Sequence, residues 1–295
     1  LTVLAFAAAV SLLGLEGCAR SALAHSRPSQ IRLAVFPPDD AQQATTLYDP
    51  MVKHLEKDLG LPVKLVFASD YSGVIEAMHT GKAEIGAFGP LSYVIARKEA
   101  GAEAFAAGVG KTGNGIYHAL IMVRSDSPYH SLKDLKGKKI ALVDPASTSG
   151  SLMPHYMTRQ ETGVDLEDWF GQVTYAGTHP SALKALAVGS VDAAGVEEKL
   201  AERMEDAGMI PKNSVREILR SADLPPSPWA YRKNLDPALR EKIKASFLAM
   251  PPRTAEHSKY GSVDHYRTVS EDEYTLVQQL LDESKLKRDE ILKKH

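Results

Sequence analysis

Short apolar runs alternate with helically spaced apolar positions along most of this 295-residue chain. IRLAVFP (31–37) reads as a strand. LYDPMVKHLEKDLG (47–60) sets Met51, Val52, Leu55 and Leu59 at helical spacing, with Gly60 as the stop. PVKLVFA (62–68) predicts a strand, YSGVIEAMHTGK (71–82) a helix with Val74, Ile75 and Met78 inward, and AEIGAFG (83–89) a strand. LSYVIARKEAG (91–101) predicts a helix, and AEAFAAG (102–108) and IYHALIMVRSDS (116–127) predict strands. Strands alternating with helices point to a parallel-rich α/β sheet.

A second set follows. SLKDLKGKKIALVD (131–144) predicts a short helix, a turn at Gly137 and a strand. SLMPHYMTRQETG (151–163) predicts a helix whose Pro154 sits harmlessly in the first turn. QVTYAG (172–177), HPSALKALAVGS (179–190), VDAAGV (191–196) and EEKLAERMEDAG (197–208) read as strand, helix, strand, helix. SVREILRSAD (214–223) ends in a strand, LPPSPWAYRKNL (224–235) crosses back, and the tail from Asp236 to His295 reads as amphipathic helix. The expected architecture is α/β: lobe I from 28–122 plus 224–295, lobe II from 123–223, with a hinge and a ligand cleft between them. Such lobes close around ligand by hinge motion.

Residues 1–18 break the pattern. LTVLAFAAAVSLLGLEGC carries no charge before Glu16 and has the length of a secretory signal core, short for a membrane span. It lacks an initiating Met and a basic n-region, as a trimmed leader would. Two exits compete within a leader of about 1–24. ALA (22–24) fits cleavage after Ala24, and LEGC (15–18) resembles a lipobox that would leave Cys18 lipidated, although Glu16 is unusual in that slot. Cys18 is the only cysteine, so no disulfide is expected in the mature domain. The chain reads as exported and bacterial, periplasmic or on the outer face of the inner membrane. A net charge of −2, from 35 basic and 37 acidic residues, argues against a nucleic-acid partner.

DPASTSG (144–150) lies between a predicted strand and helix, with Ser147, Thr148 and Ser149 in a row. One reading is a helix cap by Ser149, worth about 1 kcal/mol. The other is an oxyanion cradle, since helix starts present unpaired N–H groups and partial positive charge, and hydroxyls add rotatable donors. His179 opens the helix after YAGT and has the same two readings, structural cap or anion donor.

With those motifs, ASDYSGVIEAMHTGKAEIGAFGPLSYVIA (68–96), the STS loop after KKIALVDPA and GTHPSAL (177–183) resemble, in order, the phosphonate- and phosphite-binding proteins of ABC importers, which have the type II periplasmic binding-protein fold. The resemblance covers about residues 31–235. It implies ligand contacts from Tyr71, Tyr93, Ser147, Thr148, Ser149 and His179. Members that bind aminoalkylphosphonates use an acid near the helix after the VDAAGV strand, where Glu197 is the nearest match and Glu198 its neighbour. An Asp frequent in the family is Ser227 here, which favours phosphite or a simple alkylphosphonate over amine-bearing ligands.

Tyr71 and Tyr93 each border a tight turn at a strand end, where ligands of open α/β sheets sit. A phenol there donates a hydrogen bond while its ring excludes water. For Tyr93 a half-buried core position is the alternative. None of these motifs contains Arg or Lys, so preorganised neutral donors must hold the anion. An apolar contact where phosphate has its extra oxygen would reject phosphate. The two tyrosine rings and Trp229 are candidates for that wall. No G-x-S-x-G elbow, metal-ligand spacing or P-loop is present, so neither an enzyme, a metal carrier nor the transporter ATPase is expected. The expected protein is a monomeric solute-binding component that uses no cofactor or metal. It hands a phosphorus oxyanion to the transmembrane subunits of an ABC permease. A ligand sensor of the same fold and a phosphate binder remain as alternatives.

Overall fold

The computed structural model describes residues 27–36, 41–110, 113–252, 263–284, 286 and 291. The leader, with Cys18 and Ala24, lies outside these residues, as does most of the tail beyond 284.

Two sheets divide the chain. The first takes β1 (Ile31–Val35), β2 (Val63–Phe67), β3 (Ile85–Ala87), β4 (Ala102–Val109), β10 (Pro228–Arg232) and β11 (His265–Thr268), in the order β11-β4-β10-β3-β1-β2. The second takes β5 (Ala119–Arg124), β6 (Lys139–Leu142), β7 (Gln172–Tyr175), β8 (Ala193–Glu197) and β9 (Val215–Arg220), in the order β7-β6-β8-β5-β9. In each, the strands that begin the α/β run are parallel: β1 with β2 and β3, and β6 with β7 and β8. The strands that arrive from the other half run antiparallel: β10 beside β3 and β4, and β5 beside β8 and β9. Both sheets are therefore mixed, where the sequence pattern predicts mainly parallel pairing.

Helices cover both faces. On one face of the first sheet, α1 (Ala41–Leu59) and α8 (Pro237–Leu248) bury Met51, Leu55, Ile243 and Phe247 against Ile31, Leu33 and Trp229. On the other face lie α2 (Tyr71–His79), α3 (Pro90–Ala100) and α9 (Thr275–Glu283). Their apolar side chains merge with those under α4 (Met153–Thr162) and the short α5 (Leu166–Trp169) into one core shared by both halves. The second sheet packs α6 (His179–Ala187) and α7 (Leu200–Asp206) on its remaining face. Among the described residues no helix is long and apolar enough to cross a membrane.

Three elements differ from the sequence reading. The tail is not wholly helical: HYRT forms β11 and pairs with β4, so an edge strand interrupts the helices. The crossing segment 224–235 contains β10, whose pairing to β3 and β4 places it inside the sheet. Glu197 ends a strand, and the helix expected from 197 begins at Leu200.

The chain passes between the halves twice, from β4 to β5 and from β9 to β10. The two passages pair with each other. Tyr117 and Leu224 form an antiparallel bridge, with Leu224 N–H donating to the Tyr117 carbonyl at 2.9 Å and Tyr117 N–H to the Leu224 carbonyl at 3.2 Å.

Candidate functional site

The ends of β2, β3, β6 and β8 and the crossing strands face a single cavity of about 340 Å³. Its lining comes from both halves: Tyr71, Gly89, Gly108 and Ser227 from the first, and Ser147, Thr148, Ser149, His179 and Glu197 from the second. Gly115 and Tyr117 come from the first crossing.

Ser147, with extended backbone, accepts a hydrogen bond from Gly150 N–H at 3.1 Å and so caps a π-turn at Thr148–Leu152 that runs into α4. The capping role therefore falls on Ser147 and not on Ser149. All three residues are almost fully buried. Gly150 has no room for a side chain, since a Cβ there would lie 2.3 Å from Val143 Cγ2. Thr148 also reaches across the cleft: its Oγ1 accepts from Leu91 N–H, in the first turn of α3, at 2.8 Å. That bond joins the cradle directly to the opposite half.

Tyr71 is the first residue of α2, behind the cap Asp70, whose Oδ1 accepts from Gly73 N–H at 2.6 Å. Its ring lies 5.0 Å from that of Phe36. Burial pushes its phenol up to about 12. The charge of Asp144 adds to this and a hydrogen bond with Ser147 opposes it, so Tyr71 is a neutral donor at any ordinary pH. Burial raises the Tyr117 phenol as well, opposed by hydrogen bonds with Thr148 and Ser149.

His179 is the first residue of α6, behind Thr178, whose hydroxyl accepts from Ser181 N–H at 3.1 Å. Burial, and secondarily the positive Arg203, lower its imidazole from 6.5 to about 3. The ring is therefore neutral, and its Nδ1 is buried without a partner among the described residues. A neutral ring with a free nitrogen suits an added hydrogen-bonding oxygen, and an anion would oppose the depressed basicity.

Two expected residues stand elsewhere. Tyr93 is fully buried in the core; its hydroxyl accepts from Ala104 N–H at 3.3 Å and its ring lies 4.7 Å from that of Tyr274. It sits one turn inside α3, so its side chain drops onto the sheet instead of reaching the cleft. Trp229 is 3% exposed and packs against Phe247 and Tyr48 under α1 and α8. Its side chain belongs to the core under those helices, and Ser227, just before β10 begins, is the residue of this segment that lines the cavity. Tyr117 takes up the position of second phenol. The sequence offered one signal for it, an aromatic residue at the entry to a strand that follows a glycine-rich turn.

A hydroxyl-rich cavity lined by two α/β halves, which two paired crossings join, is the plan of a solute-binding protein. The model of the family "ABC transporter, phosphonate, periplasmic substrate-binding protein" matches residues 33–274. The chain is 31% identical over 238 residues to the phosphate-import protein PhnD of Mycolicibacterium smegmatis, covering 77% of this chain and 74% of that one. It is 29% identical over 250 residues to the phosphonates-binding periplasmic protein of Escherichia coli, covering 83% and 73%. PhnD1 of Prochlorococcus marinus, solved with methylphosphonate, superposes with a TM-score of 0.76 at 18% identity, over 87% of this chain and 98% of that one. The chain belongs to the family of periplasmic substrate-binding proteins of phosphonate ABC transporters, and its fold is the type II periplasmic binding-protein fold.

Proposed function

We propose that the 340 Å³ cavity binds a phosphonate or phosphite as its oxyanion. One observation carries this reading. Hydroxyls of residues 147–149, His179 and the phenols of Tyr71 and Tyr117 meet at one cavity whose lining contains no Lys or Arg. A tetrahedral oxyanion needs several convergent donors, and in a water-poor site preorganised neutral donors stabilise it without a counter-charge. Phosphate carries one more oxygen than a phosphonate. Where the wall facing that position is aromatic, the oxygen is left unpaired and phosphate binds more weakly.

In this reading, lobe I runs from 28 to the first crossing and resumes at 224, and lobe II begins with β5 at 119, ahead of the expected boundary at 122, and ends at 223. The Leu91–Thr148 hydrogen bond belongs to the closed state that docks on the permease. The protein captures and releases its ligand unchanged, works as a monomer, and acts outside the inner membrane, either tethered through lipid on Cys18 or released by cleavage after Ala24. A mass spectrum of membrane-extracted protein checks the tether. The name of the M. smegmatis relative supports phosphate as a second reading.

Titration calorimetry with phosphite, methylphosphonate, hypophosphite and phosphate tests the ligand. Saturable binding of phosphite or methylphosphonate, with phosphate weaker, is expected. Phosphate as the tightest ligand would favour the second reading, and silence for all four would end both.

A further inference from the structure

Tyr117 follows a glycine-rich turn. Gly113 and Gly115 precede it, Gly115 with φ of 85°, and such a turn by itself leaves many directions open to the chain. The bridge to Leu224 fixes part of the Tyr117 main chain. The next residue adds three further ties. His118 lies between two carboxylates: Nδ1 stands 3.0 Å from Glu198 Oε2, just beyond the end of β8, and Nε2 stands 3.0 Å from Asp223 Oδ1, in the second crossing. The His118 carbonyl also accepts from Glu198 N–H at 3.0 Å. One residue thus joins the exit of the first crossing to the second crossing and to the end of β8.

The two carboxylates differ in weight. The Glu198 side chain is 16% exposed and holds a second partner, Arg220, at 2.7 Å; Arg220 also pairs with Glu217 on β9. Burial works against the charge of Glu198, and the bonds from Arg220 and His118 outweigh it, so its carboxyl is held below its ordinary value. The Asp223 side chain is 71% exposed, and its pair is the screened, weaker one. An imidazole suits this place because its two ring nitrogens point to different sides, and in the imidazolium form both donate. His118, Glu198 and Asp223 are all outside the cavity lining, whereas Tyr117 belongs to it. Successive residues of an extended chain point to opposite faces, so His118 can grip its neighbours while Tyr117 faces the cavity.

We propose that His118 is a positioning residue for ligand binding: by fastening the first crossing to Glu198 and Asp223, it sets the Tyr117 hydroxyl against the oxyanion. The inference rests on the phosphonate reading above and adds to it a residue that does not touch the ligand. A donor contributes most when its place is fixed before the ligand arrives, because ordering it then takes nothing from the binding energy. With position 118 loosened, the ligand must order the phenol as it binds, and affinity falls.

The test is a double-mutant cycle over the wild type, His118→Ala, Tyr117→Phe and the double variant. Titration calorimetry reads it, with whichever of methylphosphonate and phosphite the wild type binds more tightly. His118→Ala is expected to weaken binding about fivefold in the wild-type background, and by less than about twofold where Tyr117→Phe has already removed the hydroxyl. His118→Asn puts an amide nitrogen about where Nδ1 stood, keeps the Glu198 bond and should recover most of the affinity. A fivefold loss in both backgrounds would make His118 a general structural support and overturn the proposal. So would unchanged affinity in the folded His118→Ala variant, or an Asn variant as weak as the Ala one. Each of these leaves the phosphonate reading intact. Glu198 keeps Arg220 and Asp223 is exposed, so truncating His118 leaves no buried charge unpaired. Should the Ala variant still fail to fold, Glu198→Ala replaces it in the cycle with the same expectation and the same overturning results. Absence of wild-type binding to both methylphosphonate and phosphite overturns the two readings together.

Discussion

The entrances to α2 and α3 have the same plan and opposite outcomes. Each follows a parallel strand of the first sheet, β2 or β3, through a tight turn, and each carries a tyrosine in its first four residues. Tyr71 is the first residue of its helix and lines the cavity. Tyr93 is the fourth of its own, is fully buried and bonds to Ala104. The first residue of a helix that leaves a strand end stands over the cleft. A residue one turn further in points back along the helix and onto the sheet. His179, first in α6, follows the same rule and also lines the cavity. Position within the first turn, more than residue type, separates a ligand contact from a core contact here.

The largest expected effect breaks the comparison from the core side. Tyr93→Ala should cost about 3–5 kcal/mol of stability, as large aromatic truncations do. The folded fraction should keep its methylphosphonate affinity within about threefold. Urea unfolding and calorimetry read the two quantities separately, and a selective loss of affinity would return Tyr93 to the site.

His179 sharpens the rule through pH. Its folded-state value of about 3 lies below the unfolded value of about 6.5, so below pH 6.5 the unfolded chain binds the extra proton. Its contribution to stability is thus fully present above about pH 6.5 and is lost as pH falls from there toward 3. The limiting slope is about 1.4 kcal/mol per pH unit. His179→Gln should flatten this part of the stability–pH curve of the ligand-free protein. An identical curve in the variant would place the imidazole in a wetter setting than the one described.

Next comes Tyr71→Phe, which removes a donor but keeps the ring. Methylphosphonate affinity should fall by about tenfold, the usual effect of losing one hydrogen bond to a charged group. Stability should change by less than about 1 kcal/mol. The opposite pattern, stability lost and affinity kept, would make Tyr71 a second Tyr93. The smallest effect belongs to Gly89→Ala. Its φ of −77° suits any residue, and the added Cβ would meet Tyr71 Cε1 at 3.6 Å and Thr148 Oγ1 at 3.8 Å, ordinary contacts across the cleft. An affinity change below about threefold is expected by calorimetry.

The comparison also explains how far the sequence could be read. The α/β run, the strand–loop–helix at 144–153 and the helix starts at Tyr71 and His179 are written in local signals: apolar spacing, caps and turns. Together with the family resemblance, those signals pointed to six residues that the cavity brings together, Tyr71, Ser147, Thr148, Ser149, His179 and Glu197. What they do not carry is direction. Whether Trp229 joins the core or the cleft depends on how β10 inserts between β3 and β4, a pairing across more than 100 residues of sequence. Tyr117 gains its place from the bridge to Leu224, which is equally remote. The strand β11 was hidden because HYRT is short, polar and surrounded by helical pattern.

The central claim is that uncharged donors from both halves converge on one oxyanion. A crystal structure of the protein with methylphosphonate tests it most directly. The account predicts the phosphonate oxygens within hydrogen-bonding distance of the 147–149 loop, His179 and at least one of the Tyr71 and Tyr117 hydroxyls, with Tyr93 and Trp229 remote. A ligand seated anywhere else, or one held by a Lys or Arg side chain, would contradict it.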